Sequence, residues 1–472
     1  MKKSTASFSL VLLSLLTACS GVNLESLPLD AVQRYVSFDS LLRAVATPEP
    51  VLLDPTPTPV PANFSTAALI KLRSRIRVGI RFDAPPLASV DAQGEIIGFD
   101  VDLAREMARR WLGSEKNVEF VQVTSKSAPG KVRAREVDMA MGGLVQTKAA
   151  ELDADFTLPH LYDGEALLVR AGTFADFAAL AGRSVVFIDD ASTFALRDAQ
   201  NAAGVTVTTQ IGESYAQSYE LVAGGSADAM IGRWRRLRTR AAADPRLAVM
   251  QVLRRDALGI MTPPNDSEFA DLVGITLSNI MLDGTYAQLY RKHFGVDPDM
   301  SELRPLAGPS DIQLAQLPDM LQTDDRLAAV NAARRLRVGY RIAEPFVRVG
   351  EDGSLSGYEV DLVRNVARRM LGSVDAVEWI ALDGDPAAAW AGIDLAIGGN
   401  VRTQAQERTA DWTLPVFVGD GRSIAMLTPP RQSGLRDAVN EALQQIYVEG
   451  VFAAVHAQWF PDQPVTPVDV WR

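Results

Sequence analysis

The sequence predicts an α/β protein built from two tandem copies of one unit, the second without its middle. Three observations carry this. Residues 77–113, RVGIRFDAPPLASVDAQGEIIGFDVDLAREMARRWLG, return at 337–372 as RVGYRIAEPFVRVGEDGSLSGYEVDLVRNVARRMLG. GGLVQTKAAELDADFTLP (142–159) returns without a gap as GGNVRTQAQERTADWTLP (398–415), an offset of 256. The TPP at 262–264 and Gly284 return at 428–430 and Gly450, an offset of 166, so a contiguous piece of 90 residues belongs to the first copy alone. So long a repeat marks duplicated domains, since solenoid periods are much shorter.

The N-terminus comes first in the chain and reads as an address. Lys2 and Lys3 precede an apolar run at 8–16, too short to span a bilayer and typical of a secretion signal. The run ends in Leu16-Thr17-Ala18-Cys19-Ser20, which resembles a bacterial lipobox, and Cys19 is the single cysteine of the chain. Residues 1–19 are thus expected to be a lipoprotein signal, with lipid attached at Cys19. Residues 20–65 are expected to be a proline-rich tether, since PEPVLLDPTPTPVPANF favours extended, semi-rigid backbone. No later segment reaches about 18 consecutive apolar residues, the length a spanning helix needs. At 472 residues with 47% hydrophobic and 22% charged residues, the chain has material for several real cores. A net charge of −11 argues against a nucleic-acid partner, which calls for basic stripes.

Within a copy, strands and helices alternate, which predicts a largely parallel sheet. In the first copy, 76–82 is an apolar-alternating strand, and Gly98-Phe99-Asp100 opens a helix with Asp100 as its N-cap. Leu103, Met107 and Trp111 then fall on one face, matched by Leu362, Val366 and Met370 in the second copy. Further strands are expected at 118–123 and 137–141. Ligands of such sheets sit at the carboxyl ends of the strands, near 82–87 and 142–147.

The strand followed by Pro-Pro, the GFDVDLA helix start, the VDMAMGG strand, the DFTLPHLYDG crossing and the helix DGTYAQLYRKHFG together resemble the bacterial solute-binding proteins of family 3, receptors of polar amino acid ABC importers. The resemblance implies the periplasmic-binding-protein type II fold, two α/β lobes joined by two crossing strands with a solute trapped between them. On that plan 66–296 is a bilobed domain, with lobe 1 at 66–167 and 258–296 and lobe 2 at 168–257. The crossing strands fall at about 164–169 and 256–261. Residues 297–330 are a linker, 331–462 a truncated copy with lobe 1 alone, and 463–472 a tail.

The resemblance also implies a clamp for an α-amino acid, and this chain departs from it. The family's carboxylate-holding Arg falls on Ala150 and its assisting Thr on Val145. The two stacking aromatics fall on Ala84 and Ser125, and the lobe 2 carboxylate falls on Arg233. The cleft positions that remain are Arg81, Gly143, Gln146, Thr147, Asp190, Ser192, Thr193 and Arg233. Two arginines without the usual acid point to a small polar or anionic solute. The bland alternatives are a strand-end charge for Arg81, a solvated basic face for Arg233, and a helix cap for Asp190, Ser192 and Thr193.

The function expected is therefore an extracytoplasmic solute-binding lipoprotein that feeds an ABC permease. The alternative is a ligand-free interaction or sensory protein on the same fold. No catalytic residue, cofactor or metal is expected: His160, His293 and His456 sit in no nucleophile or HExxH context, and no CxxC exists.

Overall fold

The computed structural model describes residues 63–465 apart from 189, 301–302, 304, 307, 309–311, 322–324 and 420–421. Cys19, the signal, all but the last residues of the tether and most of the tail lie outside the described residues. Among the described residues three five-stranded sheets carry the fold.

The first sheet runs Val118–Gln122, Ile76–Ile80, Met139–Met141, Met261–Thr262 and Asp155–Phe156 in spatial order. Its first three strands are parallel, with Ile76 opposite Val118 and Val78 opposite Met139, and the returning strands are antiparallel. Ile76, Val78 and Ile80 alternate into the core and are fully buried, as are Phe99, Leu103 and Met107 of the helix Phe99–Leu112 that covers the sheet. Trp111 completes that face by donating from Nε1 to Thr276 Oγ1 at 2.8 Å.

The helix starts two residues earlier than its sequence suggests. Its N-cap is Gly98, at φ 142°, where a Cβ would lie 2.1 Å from the Leu87 carbonyl oxygen. Only glycine tolerates both that backbone region and that approach. Asp100 is inside the first turn and caps nothing.

The second sheet, Thr208–Ile211, Ser184–Phe187, Ala229–Arg233, Leu161–Arg170 and Leu247–Leu258, is covered on its two faces by separate cores. Apart from the outer ends of its two longest strands, it comes from the piece the second copy lacks. Leu161–Arg170 and Leu247–Leu258 pair antiparallel along their whole length, from Leu258 opposite Leu161 to Leu247 opposite Arg170. Both crossings are longer than the segments read from sequence. At Gly164, φ 144°, a Cβ would fall 1.9 Å from the Arg254 carbonyl oxygen, so the two crossings can approach only through a glycine.

The third sheet repeats the first: Val377–Ala381, Leu336–Tyr340, Leu395–Ile397, Arg422–Thr428 and Asp411–Gly419. The register is kept too, since Leu427 faces Ala396 as Met261 faces Ala140. Its crossing equivalents close directly into a hairpin, with Gly419 opposite Arg422. The second copy is thus one lobe folded on itself.

The connector is not a free spacer. Leu303, Leu306, Leu314 and Leu317 are buried in the core of the first lobe, and Met320 bridges Phe64. The copies meet through equivalent surfaces. Ser433 Oγ donates to Asp155 Oδ2 at 2.6 Å, and its counterpart Ser267 donates to Asp411 Oδ2, the counterpart acceptor, at 3.0 Å. The Asn265 amide donates to Ser433 Oγ at 3.0 Å and the Arg431 amide to Ser267 Oγ at 2.7 Å. Such reciprocity is the mark of an isologous, two-fold contact, here made within one chain.

Candidate functional site

The cleft of the first copy is framed by two clusters. At the carboxyl ends of the lobe 1 strands, buried Asp100 accepts from the Gly142 and Gly143 amides on Oδ2 at 2.8 and 3.0 Å. Its other oxygen, Oδ1, lies 2.9 Å from His160 Nε2. The Gly143 amide expected to face a ligand is therefore committed to Asp100.

Where the crossings enter lobe 2, Arg233 lies among three buried carboxylates. It contacts Asp163 at 2.8 Å, Asp256 at 3.4 Å and Glu165 at 3.5 Å. Burial works against its charge, and the attraction of Asp163, Glu165 and Asp256 overrides that, holding the guanidinium pKa above its ordinary value. Ser192 Oγ adds a bond to Glu165 Oε2 at 2.9 Å, and Arg254 pairs with Asp256 at 2.9 Å. Strand register explains the gathering, because Arg233 lies opposite Glu165 and Asp256 opposite Asp163.

Of the eight expected residues, the structure brings Ser192 and Arg233 together around Glu165. The others part. Arg81 pairs with Asp83 at 3.0 Å, and this bond holds the Asp83 carboxyl below its usual range. Gln146 donates to Glu151 Oε1 at 2.6 Å and lines a cavity between the two copies. Thr147 caps the short helix Lys148–Glu151, accepting from the Ala150 amide at 3.2 Å. Asp190 and Thr193 lie in the first turn of the helix Asp190–Ala203. The two arginines expected to face a solute both have acid partners within the chain, Asp83 for Arg81 and Asp163, Glu165 and Asp256 for Arg233.

The residues missed were Asp163, Glu165 and Asp256. Asp163 and Glu165 stand two apart on a strand and so share a face, which was the available signal.

In the second copy Glu359 takes the place of Asp100, accepting from the Gly398 and Gly399 amides at 2.9 and 2.7 Å. Val416 stands where the first copy has His160, and Glu359 Oε1 is buried without a partner among the described residues. Burial raises the Glu359 carboxyl to about 7, against the two amides and Arg341, which lower it.

Two α/β lobes joined by a paired double crossing, with polar clusters at both rims of the cleft, define a clamshell solute-binding protein. The chain belongs to the bacterial extracellular solute-binding proteins, family 3, whose model matches residues 76–296 and 336–462. It is similar to the ABC transporter glutamine-binding protein GlnH of Bacillus subtilis, 26% identical over 49% of this chain and 86% of that protein. It is also similar to the putative ABC transporter arginine-binding protein 2 of Escherichia coli, 27% identical over 49% of this chain and 95% of the relative. Among solved structures, an ancestral cationic amino acid solute binding protein is 27% identical over 49% of this chain and all of its own, with a TM-score of 0.43. No described helix is long and apolar enough to cross a membrane.

Proposed function

We propose that the chain is an extracytoplasmic receptor, lipid-anchored through Cys19, whose first copy closes on a small polar solute and delivers it to an ABC permease. The observation that carries this is the complete two-lobed unit, with its paired crossings, in the copy aligned to transport receptors along most of their length. Residues 20–65 join that unit to the proposed anchor at Cys19. The charge of the solute is not set by Arg233, because an anion would compete with Asp163, Glu165 and Asp256 for the guanidinium.

The test is a thermal-shift screen of the full chain in detergent against cationic, zwitterionic and anionic amino acids, dicarboxylates and keto acids. A solute at 100 times its dissociation constant raises stability by about 2.7 kcal/mol. A hit should also shrink the radius of gyration as the lobes close. No change in melting temperature across the panel, from a cooperatively folding protein, overturns the reading.

One observation favours a second reading, an interaction or sensory protein that has lost its solute. The Gly143 amide, Gln146, Ser192 and Arg233 are all satisfied within the protein.

A further inference from the structure

Between the two copies lies a cavity of about 560 Å³, within the range of small-molecule sites and far larger than an ion needs. Its wall is built in matched pairs by the repeat. Phe156, Thr157, Leu158 and Pro159 face it from one side, and Trp412, Thr413, Leu414 and Pro415 from the other. The two ends of the cavity are therefore versions of one another, and each can be read against its counterpart.

At one end Glu151, Asp155 and Asp437 bring carboxylate oxygens within 4.8 Å of each other. A guanidinium belonging to the chain sits there: Arg436 Nη2 donates to Asp155 Oδ1 at 2.7 Å and to Asp437 Oδ1 at 2.8 Å. The counterparts of these acids at the other end are Glu407, Asp411 and Asp271, and the counterpart of Arg436 is Ala270. Glu407 is served by Arg402 at 2.6 Å, and Asp411 by Ser267 at 3.0 Å and the Arg431 amide at 3.1 Å. Asp271 is 7% exposed, lines the cavity, and has no hydrogen bond or ion pair among the described residues. Burial, Glu407 and Asp411 all push its carboxyl well above the usual range, with Arg402 and Arg408 opposing. An acid in that state is stabilised by a cation placed beside it.

We propose that this end of the cavity is a second binding site, for a small organic cation whose guanidinium, amidinium or ammonium group sits beside Asp271 where Arg436 sits in the other half. A planar two-donor group matches a carboxylate by parallel hydrogen bonds. The ring of Trp412 and the apolar 156–159 segment offer the rest of such a molecule an aromatic and aliphatic wall. Asp271, on the helix Ser267–Leu282, is not among the residues expected to line the cleft between the lobes of the first copy.

Calorimetric titration of the full chain with benzamidine and with agmatine tests this, with calcium and magnesium chloride titrated alongside. Saturable binding of at least one organic cation is expected, weakened tenfold or more in Asp271→Asn. Ala270→Arg supplies the missing guanidinium from the chain itself. It should abolish cation binding and raise the melting temperature of the free protein, while any solute found for the inter-lobe cleft still binds. Failure of both organic cations to bind the wild type overturns the proposal, as does unchanged affinity in Ala270→Arg, which would move the binding to the cleft. Saturation by the divalent ions alone overturns it in favour of a metal site.

Discussion

Glu359 does in the second copy what Asp100 does in the first, accepting the two amides of a Gly-Gly turn, but it does so without the histidine that serves the other oxygen of Asp100. His160 of the first copy is Val416 in the second. A neighbouring hydrogen bond moved at the same time. The carbonyl of His160 accepts from Tyr286 on the last helix of its copy, whereas the carbonyl of Val416 accepts from Tyr358 at the start of the first covering helix. The counterparts of those tyrosines are Phe452 and Phe99, so one hydroxyl has changed elements while the bond it makes has stayed.

The unserved carboxyl makes stability depend on pH in a definite direction. Glu359 titrates at about 7 in the folded protein, against an ordinary value of 4.5 for a glutamate in water. A raised acid pKa means the folded state holds the proton longer. The contribution is full below pH 4.5 and is lost as pH rises through 7. The loss amounts to about 3 kcal/mol at most, since each pH unit between the two values is worth about 1.4 kcal/mol. Asp411, raised by burial to about 7, acts in the same sense. Glu359→Gln mimics the protonated acid, so it should lessen the decline between pH 5 and 8 and leave the part due to Asp411 and the other buried acids, Glu151, Asp271 and Asp437. Urea unfolding of both proteins across that range measures it. Parallel curves would show that Glu359 ionises normally.

Arg233→Ala should act on stability before it acts on any ligand. Its removal leaves Asp163, Glu165 and Asp256, each at most 6% exposed, with one cation fewer among them. Stripping one partner from buried charges costs about 3–5 kcal/mol. The loss should shrink as pH falls and the carboxyls take up protons. A cost under about 1 kcal/mol at neutral pH would mean that the cluster is wetter than its burial indicates.

These particular residues show what the sequence could and could not reveal. The duplication and the missing lobe were legible because two constant offsets, 256 and 166, bracket a contiguous gap. The charge reversal at Arg233 was legible as an oddity. Its resolution was not, since Asp163 lies 70 positions away and Asp256 lies 23 away, on strands that meet only in the folded sheet. Asp100 looked like an N-cap because Asp before an apolar run usually is one. Only the backbone shows that Gly98 ends the turn and frees the carboxylate for Gly142 and Gly143. The contact between copies had no local signature, yet the Ala270–Arg436 mismatch could be read from the repeat once that contact was known.

Cys19 carries the anchoring half of the proposed function. Cells expressing the chain with a tagged fatty acid should show label on the wild type and none on Cys19→Ser. Wild-type protein should partition to the membrane fraction and the variant should remain unprocessed. Label retained in Cys19→Ser, or wild-type protein free of membrane, would rule the lipobox reading out.

Arg436 gives the last prediction, because it stands where a metal ion could. Glu151, Asp155 and Asp437 form a close cluster, and the guanidinium holds Asp155 and Asp437 directly. Burial and the neighbouring acids raise Glu151 well above its ordinary range and Asp437 to about 6 even with the arginine in place. Arg436→Ala should therefore destabilise the contact between the copies by about 3–5 kcal/mol near neutral pH and by less at pH 5. The truncated side chain also leaves a hole ringed by three oxygen ligands, the donor type that hard divalent cations take. Calcium should raise the melting temperature of the variant and leave the wild type unmoved, with a chelator reversing the gain. A variant indifferent to calcium would show that the three carboxylates spread apart or share protons once the guanidinium is gone, and that Arg436 holds the cluster in shape as well as balancing its charge.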